Sequence, residues 1–266
     1  MAPREQAIRL AIISLLFTAC VGEVHEDRRH GAVITGKMPP KATKEQTSGT
    51  EFQAEVPKVE STPSPKSAAP KCKTEVRISA TGNLYLAGMP AGTVIKYEFP
   101  SGDVYPDAVE TAKPASASFP TSCLYSGAKL QFSVANTTVS EGVKNKLQTA
   151  DGDAANIAEH LLGGIYGKAQ IHAPMNSLLA VFLGAGDLSS AAIPEALDFT
   201  TSESRNYVSL QPKAGQIFFV GDGKTAEGSK QTIIVPEGAV TLYLGTMDAY
   251  EWHNNIGMVF ATIEVF

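Results

Sequence analysis

The stretch KQTIIVPEGAVTLYLGTMD, Lys230 to Asp248, decides the fold. Two short runs, TIIV and VTLYLG, are rich in β-branched and aromatic residues and are split by Pro236, Glu237 and Gly238. This alternation and punctuation is what paired strands require. The same texture extends outward on both sides. EVRISATGNLYLAGM (Glu75–Met89), AKLQFSVANTTV (Ala128–Val139), NSLLAVFLGAG (Asn176–Gly186), GQIFFVGDG (Gly215–Gly223) and GMVFATIEVF (Gly257–Phe266) are apolar runs separated by Gly, Pro, Asn and Asp. Many short strands with turn signals between them predict an all-β, antiparallel β-sandwich. NIAEHLLGGIY (Asn156–Tyr166) and PEALDF (Pro194–Phe199) are expected to form short helices or turns.

The N-terminal part has a different composition. In MAPREQAIRLAIISLLFTAC, Arg4 and Arg9 precede an apolar run, Leu10–Phe17, and two small residues precede Cys20. The run is shorter than the ~20 residues a membrane span needs, so residues 1–19 read as an export signal. FTAC is similar to the lipobox of bacterial lipoproteins, with Phe17 where Leu is usual, which makes Cys20 the expected lipidated N-terminus. The expected location is therefore exported and lipid-anchored to a bacterial membrane, at the outer membrane or cell surface.

Residues 20–72 include STPSPKSAAPK (Ser61–Lys71) and carry only isolated apolar residues, with no helical or strand period. Such a segment cannot bury enough surface to offset its backbone entropy, and it is expected to be a disordered tether. The folded domain is then 73–266. Within the tether, HEDRRH (His25–His30) is close to the zinc-protease pattern H-E-x-x-H. Its histidines stand one residue too far apart to share a helical face, so it predicts no zinc site.

With Cys20 removed, Cys72 and Cys123 remain, and neither belongs to a C-x-x-C pair. In an oxidising compartment they are expected to form a disulfide. A net charge of -5 argues against a nucleic-acid surface.

Most signs of catalysis fail on spacing. FFVGDGKT (Phe218–Thr225) has Phe218 where a Walker loop needs glycine, and AEGSKQTIIV after it reads as a strand, not a helix. A Gly-rich hairpin turning at Asp222-Gly223 is expected instead. His160, His172 and His253 share no metal-ligand spacing, and there is no G-x-S-x-G elbow. The sequence therefore predicts a protein that is not an enzyme.

DAYEWHNNIG (Asp248–Gly257) is the remaining candidate. Asp248, Asn254 and Asn255 offer only oxygen, the donor set for a hard cation such as Ca²⁺. In a regular strand the two asparagines face opposite ways, so a turn or bulge is needed to aim both inward. An ordinary Asn-rich turn explains the same residues.

PMNSLLAVFLGAG, LDF, GQIFFVGDGKT and VPEGAVTLYLGTMDAYEWHNNIGMV occur in this order between Pro174 and Val259. Together they resemble the calcium-dependent galactophilic bacterial lectins of the PA-IL family, and more closely the PA-IL-like relatives in exported bacterial proteins. ISATGNLYLAGMPAGT (Ile78–Thr93) and ADGDAANIAEH (Ala150–His160) look like the same relatives.

The resemblance implies a galactose-binding-like sandwich of jelly-roll type. It also implies Ca²⁺ held by the Asp248 carboxylate, the Asn254 and Asn255 amides and the Trp252 backbone carbonyl. A further carbonyl would come from the loop after AKLQFSVANTT. The spacing from the aspartate to the asparagines is that of the exported relatives, one residue shorter than in the galactophilic lectin itself.

A galactose-like or other glycan would then bind through the metal, with Asp248 and Asn254 contacting its hydroxyls. Trp252 or Tyr250 would lie against its apolar face, or Trp252 would pack beneath the loop. His160 would approach from a neighbouring loop. The competing expectations are a structural surface lipoprotein in which Ca²⁺ clamps the Asp248 loop, and a subunit of a homo-oligomer or envelope assembly.

Overall fold

A computed structural model describes residues 71–98, 104–106, 111–120, 122–142 and 146–266. The expected signal, Cys20 and nearly all of the tether lie outside the described residues. The strands are β1 (Cys72–Ser79), β2 (Lys96–Glu98), β3 (Val104–Pro106), β4 (Ala115–Ala117), β5 (Lys129–Glu141), β6 (Asp153–Glu159) and β7 (Ile171–Met175). They continue as β8 (Leu178–Leu183), β9 (Leu197–Asp198), β10 (Ser209–Leu210), β11 (Ile217–Phe219), β12 (Thr232–Ile234), β13 (Thr241–Thr246) and β14 (Asn255–Val265).

One sheet has the order β1-β14-β5-β12-β10 and a second the order β11-β8-β13-β4. The runs TIIV and VTLYLG, in β12 and β13, therefore lie in different sheets and, against expectation, do not pair with each other. Two smaller sheets, β2-β3 and β6-β7-β9, complete the set. The pairing is antiparallel except for β10 with β12 and β7 with β9, where two-residue segments run parallel. The chain is thus an all-β protein of sandwich type.

The core follows from the residue pattern. Val259, Ala261, Ile263 and Val265 alternate inward along β14, and Leu242 and Leu244 do so along β13. β8 lies between β11 and β13 and is buried at all six positions, which is why LLAVFL lacks a polar face. Phe182 stacks on Phe218 of β11 at 5.5 Å between ring centres.

β14 is the longest interaction partner of β5, and its pairing shifts register between Met258 and Phe260. Gly257 stands just before that bulge with φ +103°, and a Cβ there would collide with the Thr138 carbonyl oxygen. Only glycine fits this approach. Cys72 opens β1 and is disulfide-bonded to Cys123, with Cα atoms 6.1 Å apart. β1 therefore includes Cys72, the last residue assigned to the tether, which the bond joins to the domain.

Three local expectations change. Asn156–Glu159 belongs to β6 and His160–Ile165 forms turns, so NIAEHLLGGIY is not helical. Pairing of Ile157, Ala158 and Glu159 with β7 prevails over any helical tendency. PEALDF supplies β9, and the one short α-helix among the described residues, α1, is Ser202–Arg205, capped by Thr201. The Gly-rich segment after β11 does not join a β11–β12 hairpin. β11 pairs with β8 and β12 with β5, so the segment passes from one sheet to the other. Only Lys224 and Lys230 form a local antiparallel bridge within it.

Candidate functional site

β13 ends at Thr246 and β14 starts at Asn255, and the loop between them holds the candidate ligands. The loop is anchored from below. Thr246 Oγ1 donates to the Ala80 carbonyl at 2.8 Å, and Trp252 Nε1 donates to the Thr246 carbonyl at 2.9 Å. Trp252 is 1% exposed and lies in a short 3₁₀ turn, Trp252–Asn254. The indole therefore packs under the loop and presents no free face to a ligand.

Around Trp252 stand Tyr85, Tyr97, Tyr250 and His160. The His160 ring stacks on Tyr85 at 3.7 Å and lies 5.8 Å from the Trp252 ring. Tyr97 meets Tyr250 edge-on at 6.0 Å. His160 Nδ1 lies 2.6 Å from the Gly163 carbonyl, which can only accept, so Nδ1 carries the proton. Nε2 then accepts from the Tyr97 hydroxyl at 3.2 Å. Burial lowers the His160 pKa to about 4, against the smaller opposing effect of the Gly163 bond. The neighbouring Leu161 N–H donates to the Ala249 carbonyl at 3.0 Å. His160 is thus a buried, neutral support for the loop. Its ring, expected to approach a glycan, is 1% exposed and enclosed by aromatic side chains.

Asp248 and Asn255 come together as expected. Asp248 is 4% exposed, and its Oδ1 accepts from the Ala249 and Tyr250 N–H groups at 2.6 and 3.3 Å. Its Oδ2 accepts from Asn255 Nδ2 at 2.7 Å. That same Nδ2 also lies 3.3 Å from the Ala80 carbonyl, so the amide nitrogen faces two acceptors and its orientation is fixed by them. Asn255 Oδ1 is left buried with no hydrogen-bond partner.

Burial raises the Asp248 pKa, and hydrogen bonds from Asn255 and the loop N–H groups offset part of the rise. Among the described residues no ion pair engages Asp248. Glu141, opposite Asn255 in the β5–β14 ladder, also has a raised pKa, first from burial and then from the charges of Asp248, Asp153 and Glu251. Asp248 is thus a buried carboxylate beside other acids and an unpartnered amide oxygen, an arrangement that a positive charge would stabilise.

Asn254 and the Trp252 carbonyl do not join this pair. Asn254 is exposed and its Nδ2 lies 3.3 Å from Glu251 Oε2. The Trp252 carbonyl accepts the Asn255 N–H. The reason is geometric: a 3₁₀ turn feeding directly into a strand sends adjacent side chains to opposite sides. Tyr250 is half-buried above the ring cluster. Among the described residues no three carboxylate, imidazole or thiolate groups are close enough to hold a metal without other donors. Any ion here must also use amide or carbonyl oxygens or water, as Ca²⁺ commonly does.

Glu141, Asp153, Tyr85 and Tyr97 are the site residues that sequence reasoning missed. The stretch ANTT lies inside β5, and that strand's end delivers Glu141 to the site. The pairing of β5 with β14 that brings it there leaves no local signal in the sequence. No family model matches the chain, and neither does any curated protein or solved structure. The resemblance to PA-IL-like lectins rests on the motifs quoted above.

Proposed function

We propose that this protein is a lipid-anchored, exported surface protein whose domain binds Ca²⁺ at the Asp248 loop and, through it, a carbohydrate. The observation that carries the metal is the pairing of a buried Asp248 carboxylate, without an ion pair among the described residues, with the unpartnered Asn255 Oδ1. A divalent ion bound there relieves the desolvation of the carboxylate and supplies the missing partner for the amide oxygen. Asp248 and Asn255 are its protein anchors in this reading. Asn254 joins them after a rotation of its side chain, and carbonyls and water complete the shell.

The glycan part rests on the resemblance, as does the jelly-roll arrangement of the sandwich. Vicinal sugar hydroxyls would replace metal-bound water, within reach of the exposed Asn254 and the half-buried Tyr250. Trp252 and His160 act in this reading as positioning residues beneath the metal loop. The lipid anchor at Cys20 holds the module at a bacterial outer membrane or cell surface.

A second reading has a specific observation in its favour. Trp252 turns its ring into the core, so the indole offers no flat platform of the kind a sugar stacks on. In that reading Ca²⁺ clamps the loop of a structural or protein-binding surface lipoprotein. A glycan array run with and without EDTA separates the two. Calcium-dependent glycan signal supports the lectin reading, and calcium binding without any such signal supports the clamp.

A further inference from the structure

The end of β5 and the start of β6 bring a second set of oxygen donors together. Asp153 stands opposite Met175 in the β6–β7 ladder, which places it beside the turn that joins β7 to β8. Asn176 sits in that turn with φ +65°, and its N–H donates to the Met247 carbonyl at 2.9 Å, one residue before Asp248. Between these elements lies a cavity of about 400 Å³ whose walls include Glu141, Gln148, Asp153, Asn156 and Asn176, with Lys146 exposed at the rim.

Two features of this cavity are unbalanced. Asn176 is 3% exposed, yet its buried Oδ1 has no hydrogen-bond donor, a loss that costs about 1–3 kcal/mol where nothing replaces the water. Asp153 Oδ1 accepts the Ala155 N–H at 3.1 Å, and among the described residues Oδ2 has no partner. Glu141 and Asp153 line this one cavity, so two carboxylates share its wall. Two carboxylates in one cavity wall, beside a residue whose buried amide oxygen has no partner, describe a place for a hard cation.

We propose that this cavity is a second divalent-cation site, with Glu141, Asp153 and Asn176 as oxygen donors, adjacent to the Asp248–Asn255 pair but separate from it. Calcium fits better than magnesium, because it accepts amide oxygens and irregular geometry and takes six to eight ligands, water included. Glu141 stands between the two positions: it faces Asn255 across the ladder and Asp153 across the cavity. The two ions would brace the β13–β14 loop against the β7–β8 turn. The proposal does not depend on the Asp248 reading, since each site has its own buried amide oxygen.

Equilibrium dialysis of the full chain against Ca²⁺, counting ions per chain, tests this. The expected result is two ions for the wild type, one for Asp153→Asn, one for Asp248→Ala and none for the double variant. Asn176→Gly keeps the positive φ and removes the amide, so it is also expected to hold one. Melting in EDTA at the wild-type temperature shows that the Asp153→Asn and Asn176→Gly variants are folded. Loss of an ion in those two variants alone, with Asp248→Ala unchanged, leaves the cavity site standing and overturns the loop site. Wild-type binding of no ion, or undiminished binding by both cavity variants, overturns the proposal; Lys146 would then be the cavity's own cation.

Discussion

Asn255 Nδ2 donates to Asp248 Oδ2 at 2.7 Å across the β13–β14 loop, while the Oδ1 of the same amide is buried without a partner. One side chain is therefore both satisfied and unsatisfied, and the unsatisfied end is an oxygen. Replacing Asn255 with leucine removes the orphan but also strips Asp248 of a donor and covers the loop. The expected outcome is loss of any calcium-induced rise in melting temperature. In EDTA the variant should be less stable by about 1–3 kcal/mol, the usual cost of leaving a buried acceptor short of a donor. Thermal melts with and without Ca²⁺ check both parts.

Trp252 is the protein's one tryptophan, which makes the loop's support directly observable. Trp252→Phe keeps most of the packing but leaves the Thr246 carbonyl without the Nε1 donor. A loss of about 1–2 kcal/mol is expected, or roughly 2–8 °C in melting temperature for a domain of this size. In the wild type, acrylamide should quench the indole emission weakly in the fold and strongly in urea. Added sugar should leave that emission unquenched, because the ring faces the core.

His160 supplies a pH signature. Its folded-state pKa is lowered from 6.5 to about 4, so the unfolded chain takes up this proton first. The stability tied to the neutral ring is complete above pH 6.5 and is lost as the pH falls through about 4. The loss attributable to His160 is at most about 3 kcal/mol by linkage. Melting the wild type and His160→Phe from pH 7.5 down to 4 should show a steeper decline in the wild type. Parallel curves would contradict the buried, neutral assignment.

Gly257 tests the bulge that opens β14. Alanine there meets both a φ of +103° and the Thr138 carbonyl oxygen. Gly257→Ala is expected to destabilise the domain by about 3 kcal/mol or more, as steric strain at a special backbone position does. Urea unfolding of the variant measures it, and a cost under about 1 kcal/mol would contradict the geometry.

The disulfide closes a sequence separation of 51 residues between Cys72 and Cys123. Replacing both cysteines with serine should lower stability by about 2–4 kcal/mol, mainly by freeing the unfolded chain. Unfolding of the double variant and of the reduced wild type should agree.

Those residues also show where sequence reasoning reaches. GMVFATIEVF and NSLLAVFLGAG were legible as strands from their β-branched and aromatic runs; the inward alternation of Val259, Ala261, Ile263 and Val265 and the burial of LLAVFL at every position come from the fold. NIAEH was ambiguous, since Ile157, Ala158 and Glu159 owe their strand conformation to β7 and not to their own propensity. The separation of β11 from β12 was likewise invisible, because sheet membership depends on partners distant in the chain.

At the site, Asp248 and Asn255 were legible as oxygen donors on one loop. The outward turn of Asn254 was not, since it depends on where the 3₁₀ turn passes into the strand. Glu141, Asp153 and Asn176 carry no shared motif. Only the folding of β5, β6 and the β7–β8 turn around one cavity brings them together.

The central claim is that Asp248 is the anchor of a calcium site. Melting temperatures of the wild type and Asp248→Ala, each in EDTA and in millimolar Ca²⁺, test it most directly. The account predicts that Ca²⁺ raises the wild-type melting temperature by several degrees, that EDTA reverses the rise, and that Asp248→Ala removes most of it. No shift in the wild type, or an equal shift in Asp248→Ala, would contradict it.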